Sequence, residues 1–483
     1  MKNKILFSLS IIFLLVLSSC EKFLEENPKG IITVAGFYKT TEDATIAETS
    51  LYGALSYDLY RGQMLDLDLR SDDMTIASTA WAPRIPMENY TYNGTTIDLG
   101  RWIWPNSYIG IERANVVIEK VEPMNIPQTI KDRVVGTAYF IRALHYYELA
   151  RVHGDCPLKL KATAGTEGNS LPRSPVADVF KSVIADLIIA ADKLPVQSAN
   201  GRASKGAALG LLAKTLLYTK EYDKAKAAGL AVEKLDRYSL YTNYADAFDC
   251  ANKETNHESL FEAVYHQDVD PGNFFMKDAM PANCIVEGRY RQDGAGWGSY
   301  AATLQSYDSY ETGDLRKDYN YLVSYHDQRG FDSTFNIRSI GYVYLAKYRP
   351  QLGAPWGGAA NNFPVMRYAE VLLMIAEAEN ELNGPSADAQ IYMNYVRTRA
   401  GLANIGGAAI ASKDAFRNAI IEERRHELLF EGQRFFDLVR FGKLNEALTA
   451  IGKPALDVAK FMYMPIHQEN IDKDPALNNL YSW

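Results

Sequence analysis

The stretch "ERRHELLFEGQRFFDLVR", residues 423–440, decides how the rest of the chain is understood. It contains "HELLF", which differs by one letter from the H-E-x-x-H signature of zinc proteases. That signature places two imidazoles one helical turn apart, so that both bind one metal ion while the Glu serves as general base. Here the second His position is Phe430, which has no lone pair to donate. We therefore predict that His426 and Glu427 are neither catalytic nor metal-binding.

The same stretch has the charge pattern of a helix with acids and bases on its surface. Residues three apart are neighbours on a helix, where opposite charges attract each other. Four such pairs occur: Arg424 with Glu427, Glu431 with Arg434, Arg434 with Asp437, and Asp437 with Arg440. Apolar residues lie between them, and Gly432 is placed to break or bend the helix. The pattern predicts a structural helix laced with charges.

The first twenty residues, "MKNKILFSLSIIFLLVLSSC", have the organisation of an export signal. Lys2 and Lys4 form a positive start, and the apolar run 5–17 is too short to span a bilayer comfortably. The run ends in "LSSC", which looks like a bacterial lipoprotein signal with Cys20 as the lipidated first residue of the mature chain. An ordinary secretory signal cleaved nearby is the alternative. Residues 20–35 are polar after Cys20 and are predicted to be a tether.

Composition excludes several classes of protein. The chain has 483 residues, 47% of them hydrophobic, enough for a large buried core. Its formal charge of −8, with no basic stripe, argues against nucleic-acid binding. Beyond Cys20 only Cys156, Cys250 and Cys284 remain, and none lies in a C-x-x-C motif. At most one disulfide is therefore possible, and a zinc site built from thiolates is not expected.

Helical patterns dominate both ends of the chain. The clearest is "AALGLLAKTLLYTKEYDKAKAAGLAVEKL" (207–235), where large and small residues follow the tetratricopeptide spacing of two facing helices. Small Ala and Gly residues, including Gly229, allow the helices to approach closely. A second helix–turn–helix is predicted over 368–402, with Gly384 and Pro385 in the turn. Further helices are predicted over 41–60, over 136–155, and over 174–195 with Ser174 as its cap.

The middle of the chain has a different composition, which sets the predicted domain organisation. Residues 266–360 are rich in Gly, Asn, Asp, Pro and Tyr, and predict long loops with short strands such as "IGYVYLAKY" (340–348). We therefore predict a mainly α protein, with tetratricopeptide-like helical pairs as scaffold and long loops with a few short strands on a ligand-binding face. The predicted organisation is a signal peptide (1–19), a tether (20–35), an N-terminal helical region (36–240), and a loop-rich middle with C-terminal helices (241–483), the last two packed as one unit.

Motifs along nearly the whole chain resemble one family. After the lipoprotein start come "WPNSYIGIERANVVIEKV" (104–121), "AYFIRALHYYELARVHGDCPL" (138–158), "GRASKGAALGLLAKTLLY" (201–218), "FPVMRYAEVLLMIAEAEN" (363–380), "VRTRAGL" (396–402), "ERRHELLFEGQRFFDLVRFGK" (423–443) and "YMPIHQENIDKDPALNN" (463–479). Each motif alone is modest, and their order is specific. In that order they resemble the SusD/RagB family of outer-membrane nutrient-binding lipoproteins of Bacteroidetes-type bacteria.

The resemblance implies a function. Members of this family are helical, non-catalytic proteins without cofactors, anchored by lipid at the outer membrane and facing the cell surface. They form a lid over a SusC-like TonB-dependent transporter and capture glycans, or in some members peptides, for import. In this resemblance residues 423–440 are a structural signature, a part-buried ion network that locks the C-terminal helices to the repeats. Removing one partner of such a network, if it is well buried, costs about 3–5 kcal/mol.

Three loop clusters carry the side chains expected to bind ligand. Sugars need flat apolar faces for stacking and short polar side chains for their hydroxyls. The candidates are Trp81, Tyr90, Tyr92 and Asn93 in the first cluster (78–94), Arg289, Asp293, Trp297 and Tyr300 in the second (287–300), and Trp356 in the third (353–362). A Trp among glycines has little regular structure to pack into, although it can also plug a loop onto the scaffold. Trp102 and Trp104 precede a helix at packing spacing and are assigned to the core.

The sequence leaves three alternatives to glycan capture. A peptide-binding member of the same family is the first alternative. A surface glycosidase would need two carboxylates about 5–10 Å apart, and Asp72, Asp73 and Asp314 are available acids. A tetratricopeptide scaffold that binds only proteins is the third. The glycosidase would release product from a polysaccharide, the binder would retain it unchanged, and the scaffold would ignore it.

Overall fold

The computed structural model describes most of the chain. The described residues are 36–55, 59–77, 82–165, 170–266, 272–273, 278–281, 284–286, 290–291, 298–327, 332–349, 359–474 and 476–481. The predicted signal peptide and tether, with Cys20, lie outside them.

Helices make up most of the described chain. In chain order they are α1 Thr41–Tyr52, α2 Met64–Asp68, α3 Ile85–Asn89, α4 Asp98–Val121, α5 Gln128–His153, α6 Val176–Lys193, α7 Lys205–Tyr218, α8 Tyr222–Glu233, α9 Leu304–Asp308, α10 Leu315–Asn320, α11 Ile337–Ile340, α12 Tyr368–Asn383, α13 Ala387–Arg399, α14 Lys413–Glu427, α15 Arg434–Arg440, α16 Leu444–Ala450, α17 Val458–Phe461 and α18 Gln468–Lys473. Shorter helical turns are Leu59–Gln63, Ala82–Arg84, Tyr244–Ala247, Cys250–Asn252 and Gly407–Ile410. Among the described helices, none is long and apolar enough to cross a bilayer.

Side-chain caps fix where several helices begin. Thr40 caps α1 in a capping box with Asp43, whose backbone N–H and carboxylate both take part. The helix ends at Tyr52, so the predicted 41–60 helix is shorter than expected. Ser174 does not cap α6, contrary to the prediction. Its N-cap is Pro175, and the Val176 N–H instead donates to the Asp155 carboxylate at 2.7 Å. The orphan donor at this helix start is thus satisfied by a distant loop.

Both predicted helical pairs are present. The first is α7 with α8, and the second is α12 with α13. The small residue Gly229 on α8 faces Ile375 on α12, because a Cβ at this position would lie 2.6 Å from Ile375 Cγ1. The close approach that the sequence predicted within the first pair is therefore used between the two pairs. One hydrophobic cluster runs through α7, α8 and α12 and includes residues from 44 to 477. A second, smaller cluster joins α12, α13 and α14.

The strands form three small antiparallel sheets. They are β1 Met74–Ile76, β2 Ser259–Ala263, β3 Cys284–Val286, β4 Tyr290–Arg291, β5 Tyr300–Thr303, β6 Tyr321–Leu322, β7 Ser324–Asp327, β8 Asp332–Thr334, β9 Tyr342–Leu345 and β10 Phe363–Arg367. The sheet orders are β1-β5-β9-β6, β10-β2 and β4-β3-β7-β8. Seven of these strands lie within residues 266–360, which confirms the predicted loop-and-strand middle and the strand expected over 340–348.

Residues 423–440 form two helices with a sharp break between them. α14 ends at Glu427 and α15 begins at Arg434, with Phe430 and Gly432 at positive φ angles of 64° and 67° in the break. Of the four predicted local pairs, the one between Asp437 and Arg440 is present at 2.8 Å. The other cations bind carboxylates far away in sequence. Arg434 contacts Asp72 at 2.8 Å, for example.

The three cysteines beyond the signal are all buried. Cys156, Cys250 and Cys284 form no disulfide. Burial raises the pKa of the Cys156 thiol to about 12, so it stays protonated and behaves as a small apolar side chain.

Candidate functional site

The three predicted ligand-binding loops are attached to one end of one sheet. β1 and β5 are antiparallel with Ile76 opposite Tyr300, and β5 and β9 are antiparallel with Thr303 opposite Tyr342. The ends of β1 and β9 therefore lie beside the start of β5. Residues 78–81 follow β1, residues 292–297 come just before β5, and residues 350–358 follow β9 after a four-residue link. Neighbouring strands lie about 4.8 Å apart, so the two outer strand ends are separated by about 10 Å.

Five of the predicted ligand residues lie outside the described residues. They are Trp81, Arg289, Asp293, Trp297 and Trp356. The described residues on either side of these segments are held firmly. The Ala77 N–H donates to the Ser299 carbonyl at 2.9 Å, which joins the first two loops at their bases. Asn273 and Ala359 form an isolated antiparallel bridge at the end of the third loop.

Tyr90 and Tyr92 lie in the protein interior and cannot offer a ring face to a ligand. Their exposed fractions are 7% and 3%. The Tyr90 hydroxyl donates to the Arg70 carbonyl, and the Arg70 guanidinium donates to the Tyr92 hydroxyl at 3.4 Å. Both rings pack edge-on against Phe461. The prediction that these two rings stack on a sugar is wrong in this structure, because C-terminal residues cover the first loop cluster.

Tyr300 is also fully buried, and it belongs to a cluster that fixes the loop bases. Its hydroxyl donates to the Asp66 carboxylate, and its ring carries the Arg84 guanidinium at 4.4 Å. Arg84 also binds Asp278 through two hydrogen bonds of 3.1 and 2.9 Å. Burial raises the pKa of Tyr300, so the phenol remains a donor. Four separate chain segments are joined here, and the role of Tyr300 is to support the site from below.

The asparagines of the clusters serve local structure as well. The Asn93 side-chain oxygen accepts from the N–H groups of Thr95 and Thr96 at 2.9 and 3.1 Å, which closes a turn. Among the described residues, the Asn93 amide nitrogen makes no hydrogen bond, so we count this group as available to a hydroxyl. Asn361 is buried and donates to the Arg349 carbonyl at 3.2 Å. Asn362 donates to the Glu262 carboxylate at 2.7 Å.

The two tryptophans assigned to the core have different environments. Trp104 is buried at 4% exposure, as predicted. Trp102 is 42% exposed on α4, contrary to the prediction. The two residues are separated by two positions, which on a helix places their side chains about 200° apart. The packed face of α4 can therefore bury only one of the two indoles.

The acids available to a glycosidase are all neutralised by arginines. The Asp72 carboxylate accepts two hydrogen bonds from Arg434, at 2.8 and 2.9 Å. Asp73 accepts from Arg425 at 2.5 Å, and Asp314 accepts from Arg316 at 2.9 and 2.7 Å. All three carboxylates are also nearly fully buried, so none is free to attack a sugar. These three residues are structural in this geometry.

His426 is an interior residue. Burial, followed by the nearby charges of Arg316 and Arg425, lowers its pKa well below the ordinary value, so the imidazole is neutral. The ring packs on Tyr310 with centroids 4.2 Å apart, and Nε2 lies 3.0 Å from the Ser309 hydroxyl. Across the described part of the chain, no group of three or more His, Cys, Asp or Glu residues is arranged to hold a metal ion.

Glu427 is the centre of a buried ion network. Its carboxylate binds Arg316 at 3.1 Å, Arg367 at 2.9 Å and Arg399 at 2.5 Å. Burial alone would raise its pKa, but these cations hold the pKa of Glu427 well below the usual range. Arg367 also binds Glu258 at 2.6 Å. Sequence reasoning located the acids on 423–440 and missed their partners, although the arginines of "MRY" and "VRTR" were a signal for them.

Comparison with known proteins gives the same result at both ends of the chain. A model described as "SusD family" matches residues 313–483, and one described as "Starch-binding associating with outer membrane" matches residues 22–217. "SusD-like protein P2" of Formosa agariphila is 29% identical over 96% of both chains. "SusD-like protein P25" of the same organism is 28% identical over 95% of both. The solved structure of a "Laminarin binding SusD-like protein" is 27% identical with a TM-score of 0.79, covering 92% of this chain and 100% of the other.

Proposed function

Because the chain belongs to the SusD/RagB family, we propose that it is a non-catalytic glycan-binding lipoprotein of the outer-membrane surface. In this proposal it captures an oligosaccharide and passes it to a SusC-like TonB-dependent transporter. The laminarin-binding relative and the starch-binding family description support the glycan as ligand class. The burial of Asp72, Asp73 and Asp314 in ion pairs with arginines supports a binding protein rather than a glycosidase.

The observation that carries the proposal is the common origin of the three loops. Trp81 is five residues beyond the end of β1, and Trp297 is three residues before β5. The anchoring strands are neighbours in one sheet, and an extended chain spans at most about 3.5 Å per residue. Each ring is therefore within reach of the other. Trp356 is attached to the third strand of the same sheet and is proposed to complete the platform.

The proposed site combines aromatic faces with polar groups. Sugar rings present C–H groups on one face, which pack on an indole, while their hydroxyls need donors and acceptors around the edge. We assign stacking to Trp81, Trp297 and Trp356, and hydrogen bonding to Arg289 and Asp293. Asn93 joins them through its free amide nitrogen. Tyr90, Tyr92 and Tyr300 are buried, so the proposed site contains fewer residues than the sequence predicted.

Calorimetry with laminarihexaose as probe tests this site. We expect Trp81→Ala, Trp297→Ala and Trp356→Ala each to weaken binding about tenfold, since a stacking contact contributes on the order of 1–2 kcal/mol. Tyr395→Ala is the control, because it removes an aromatic ring that is 50% exposed on α13, a helix that carries none of the three loops. Circular dichroism confirms that each variant is folded. Unchanged affinity in all three loop variants would exclude the platform.

The ligand class has its own test. The peptide-binding alternative predicts that the wild type binds peptides and no oligosaccharide. A panel of neutral oligosaccharides and of short peptides, measured on the same protein, separates the two. Binding of peptides alone would remove the sugar from the proposal and leave the transporter partner in place.

Lipid anchoring at Cys20 is the remaining part of the proposal. Its support is the short apolar segment that ends in "LSSC". In cells, Cys20→Ala is expected to move the protein from the membrane fraction to the soluble fraction, and the mature N-terminus is expected to lose the mass of the acyl chains. Ser19→Ala changes the neighbouring residue and should leave the protein in the membrane. A Cys20→Ala variant that stays membrane-bound with unchanged mass contradicts the lipid anchor.

A further inference from the structure

A groove lies between the N-terminal half of α4, the segment 157–159 and α18, and we call it the α4–α18 groove. Its volume is about 470 Å³. Pro105, Tyr108 and Ile109 form an apolar wall, and Arg113, Lys159 and Lys473 contribute cations. The volume is within the range of about 300–1,000 Å³ that is usual for small-molecule sites. All of these residues lie in the described part of the chain, and none of them belongs to the three loops of the proposed glycan platform.

The apolar wall offers a preformed surface to a ring. Ile109 is 46% exposed, and Tyr108 is half-buried beside it. The Tyr108 hydroxyl donates to the Pro157 carbonyl at 2.9 Å, which fixes the orientation of its ring. Buried Trp104 supports that ring from behind, with centroids 5.2 Å apart. An exposed aliphatic side chain next to a fixed aromatic ring is a surface on which the C–H face of a sugar can pack.

The cations of the groove have no acidic partners within the described part of the chain. Neither the Lys159 nor the Lys473 ammonium makes an ion pair or hydrogen bond there. Arg113 donates only to the Ser50 carbonyl, at 3.2 Å. This contrasts with the rest of an acidic protein, in which buried cations such as Arg367 and Arg425 are paired with several carboxylates. The groove is also lined by Glu112 and Asp474, so three cations and two acids leave a formal charge of +1, which favours an anion.

The two acids of the groove are already engaged by neutral donors. The Glu112 carboxylate accepts from the Thr163 N–H at 2.8 Å and from its hydroxyl at 2.9 Å. The Asp474 carboxylate accepts from the Ser170 hydroxyl and from the Ala476 N–H. These bonds direct the acids toward their own loops. They leave the cations as the groups available to a ligand.

We propose that the α4–α18 groove is a second binding site that takes a sugar residue bearing a carboxylate or a sulfate. The ring packs on Tyr108 and Ile109, and the anionic group is held by Lys159, Lys473 and Arg113. An acidic protein partner fits the groove less well than a sugar. A stable protein interface needs about 800 Å² on each partner, and this groove has room for about one sugar ring. The inference rests on the proposed function in taking a glycan as the ligand class.

Binding of defined oligosaccharides to the whole protein tests the groove. The probes are tetragalacturonate for the carboxylate, a sulfated carrageenan tetrasaccharide for the sulfate, and laminarihexaose as the neutral sugar. We expect at least one acidic probe to bind, and Lys159→Gln with Lys473→Gln to weaken it about tenfold. Added salt should weaken it too, because these charges face solvent. Binding of laminarihexaose should be unchanged in this variant.

The matched control is Lys120→Gln with Lys234→Gln, which changes the net charge by the same amount at two exposed lysines outside the groove. It should bind the acidic probe as the wild type does. The proposal is overturned if the groove variant binds acidic sugars as tightly as the wild type, or if laminarihexaose binds and neither acidic probe does. Binding of polyglutamate with no acidic sugar also overturns it. If the wild-type protein binds no oligosaccharide, neutral or acidic, the proposed function itself is refuted.

Discussion

At the scale of single residues, the buried charges of this protein form sets that depend on one another. Arg367 is fully buried and binds Glu258, Glu427 and Glu431 at once. Removing a charge from such a set leaves its partners uncompensated in a medium where water cannot replace the lost contact. The network therefore specifies how α14 and β10 meet more than it adds net stability.

Arg367→Met tests this view of the network. The change keeps much of the side-chain volume and leaves three carboxylates facing one another, so the free energy of unfolding should fall by about 3–5 kcal/mol. Guanidinium unfolding measures it. Asp178→Asn is the control, because its partner Lys181 is largely exposed and the unfolding midpoint should not move. A loss below about 1 kcal/mol for Arg367→Met would mean that the network relaxes around the missing cation.

A single buried acid should make stability depend on pH. Burial raises the pKa of Glu262 from 4.5 to about 7. The folded state therefore holds this proton more tightly than the unfolded state, and the resulting stabilisation is complete below pH 4.5 and lost as the pH rises through about 7. The difference in pKa corresponds to about 3 kcal/mol at most.

Glu262→Gln isolates this effect because the amide does not titrate. The unfolding free energy of the wild type, minus that of the variant, should decrease steadily between pH 4.5 and pH 8. The Asn362 amide still has a side-chain oxygen to bind in the variant. Glu42→Gln removes an exposed acid that is not among the groups acting on Glu262, and should leave the pH dependence of the wild type in place. A difference that does not change with pH would show that Glu262 is charged in the folded protein.

Sequence reasoning at this scale is most direct where one residue type decides the chemistry. Phe430 alone argues against a zinc site, which stays a prediction, and His426 lies in the interior. Sequence reasoning was wrong where the role of a residue depends on whether its side chain is exposed in the folded protein. Tyr90 and Tyr300 lie in stretches rich in turn residues, yet distant segments bury them. Exposure is a property of the whole fold, and no short stretch contains it.

At the scale of elements, helix spacing predicted the scaffold well and the partners less well. The pairs α7–α8 and α12–α13 follow directly from their apolar periodicity and their turns. What the sequence did not reveal is that Gly229 serves the contact between the pairs, against Ile375. Periodicity identifies the face of a helix that is buried, and the identity of the covering helix depends on the packing of all of them.

Gly229→Ala tests how tightly α8 and α12 pack. A methyl group would lie 2.6 Å from Ile375 Cγ1, so α12 must shift or Ile375 must leave its rotamer. We expect a loss of about 1–3 kcal/mol despite the better helix propensity of Ala. The second variant, Ile375→Ala, opens a cavity and loses about 2–5 kcal/mol alone. The double variant should lose clearly less than the sum, because the new methyl enters the new space. Strict additivity in urea unfolding would place the clash elsewhere.

At the scale of the whole molecule, buried ion pairs join residues that are hundreds of positions apart. Asp72 follows α2 near the start of the fold, and it binds Arg434 on α15 and Arg425 on α14. Their side chains are only 2–6% exposed. Two family models match residues 22–217 and residues 313–483 separately. These ion pairs connect the two matched parts, and they bear on whether the parts fold independently.

We predict that the described N-terminal and C-terminal parts unfold as one cooperative unit. Separating them would break the continuous hydrophobic cluster and expose or strand the Asp72, Arg425 and Arg434 charges. In scanning calorimetry the wild type should show one transition, with equal calorimetric and van't Hoff enthalpies. Asp72→Asn leaves Arg434 without its bidentate partner, and should lower the temperature of that single transition by several degrees without splitting it. Arg338→Gln, which breaks the exposed pair with Asp308, should not move it. Two resolved transitions in the wild type, or a split produced by Asp72→Asn, would show that the halves are separate folding units joined only at their surface.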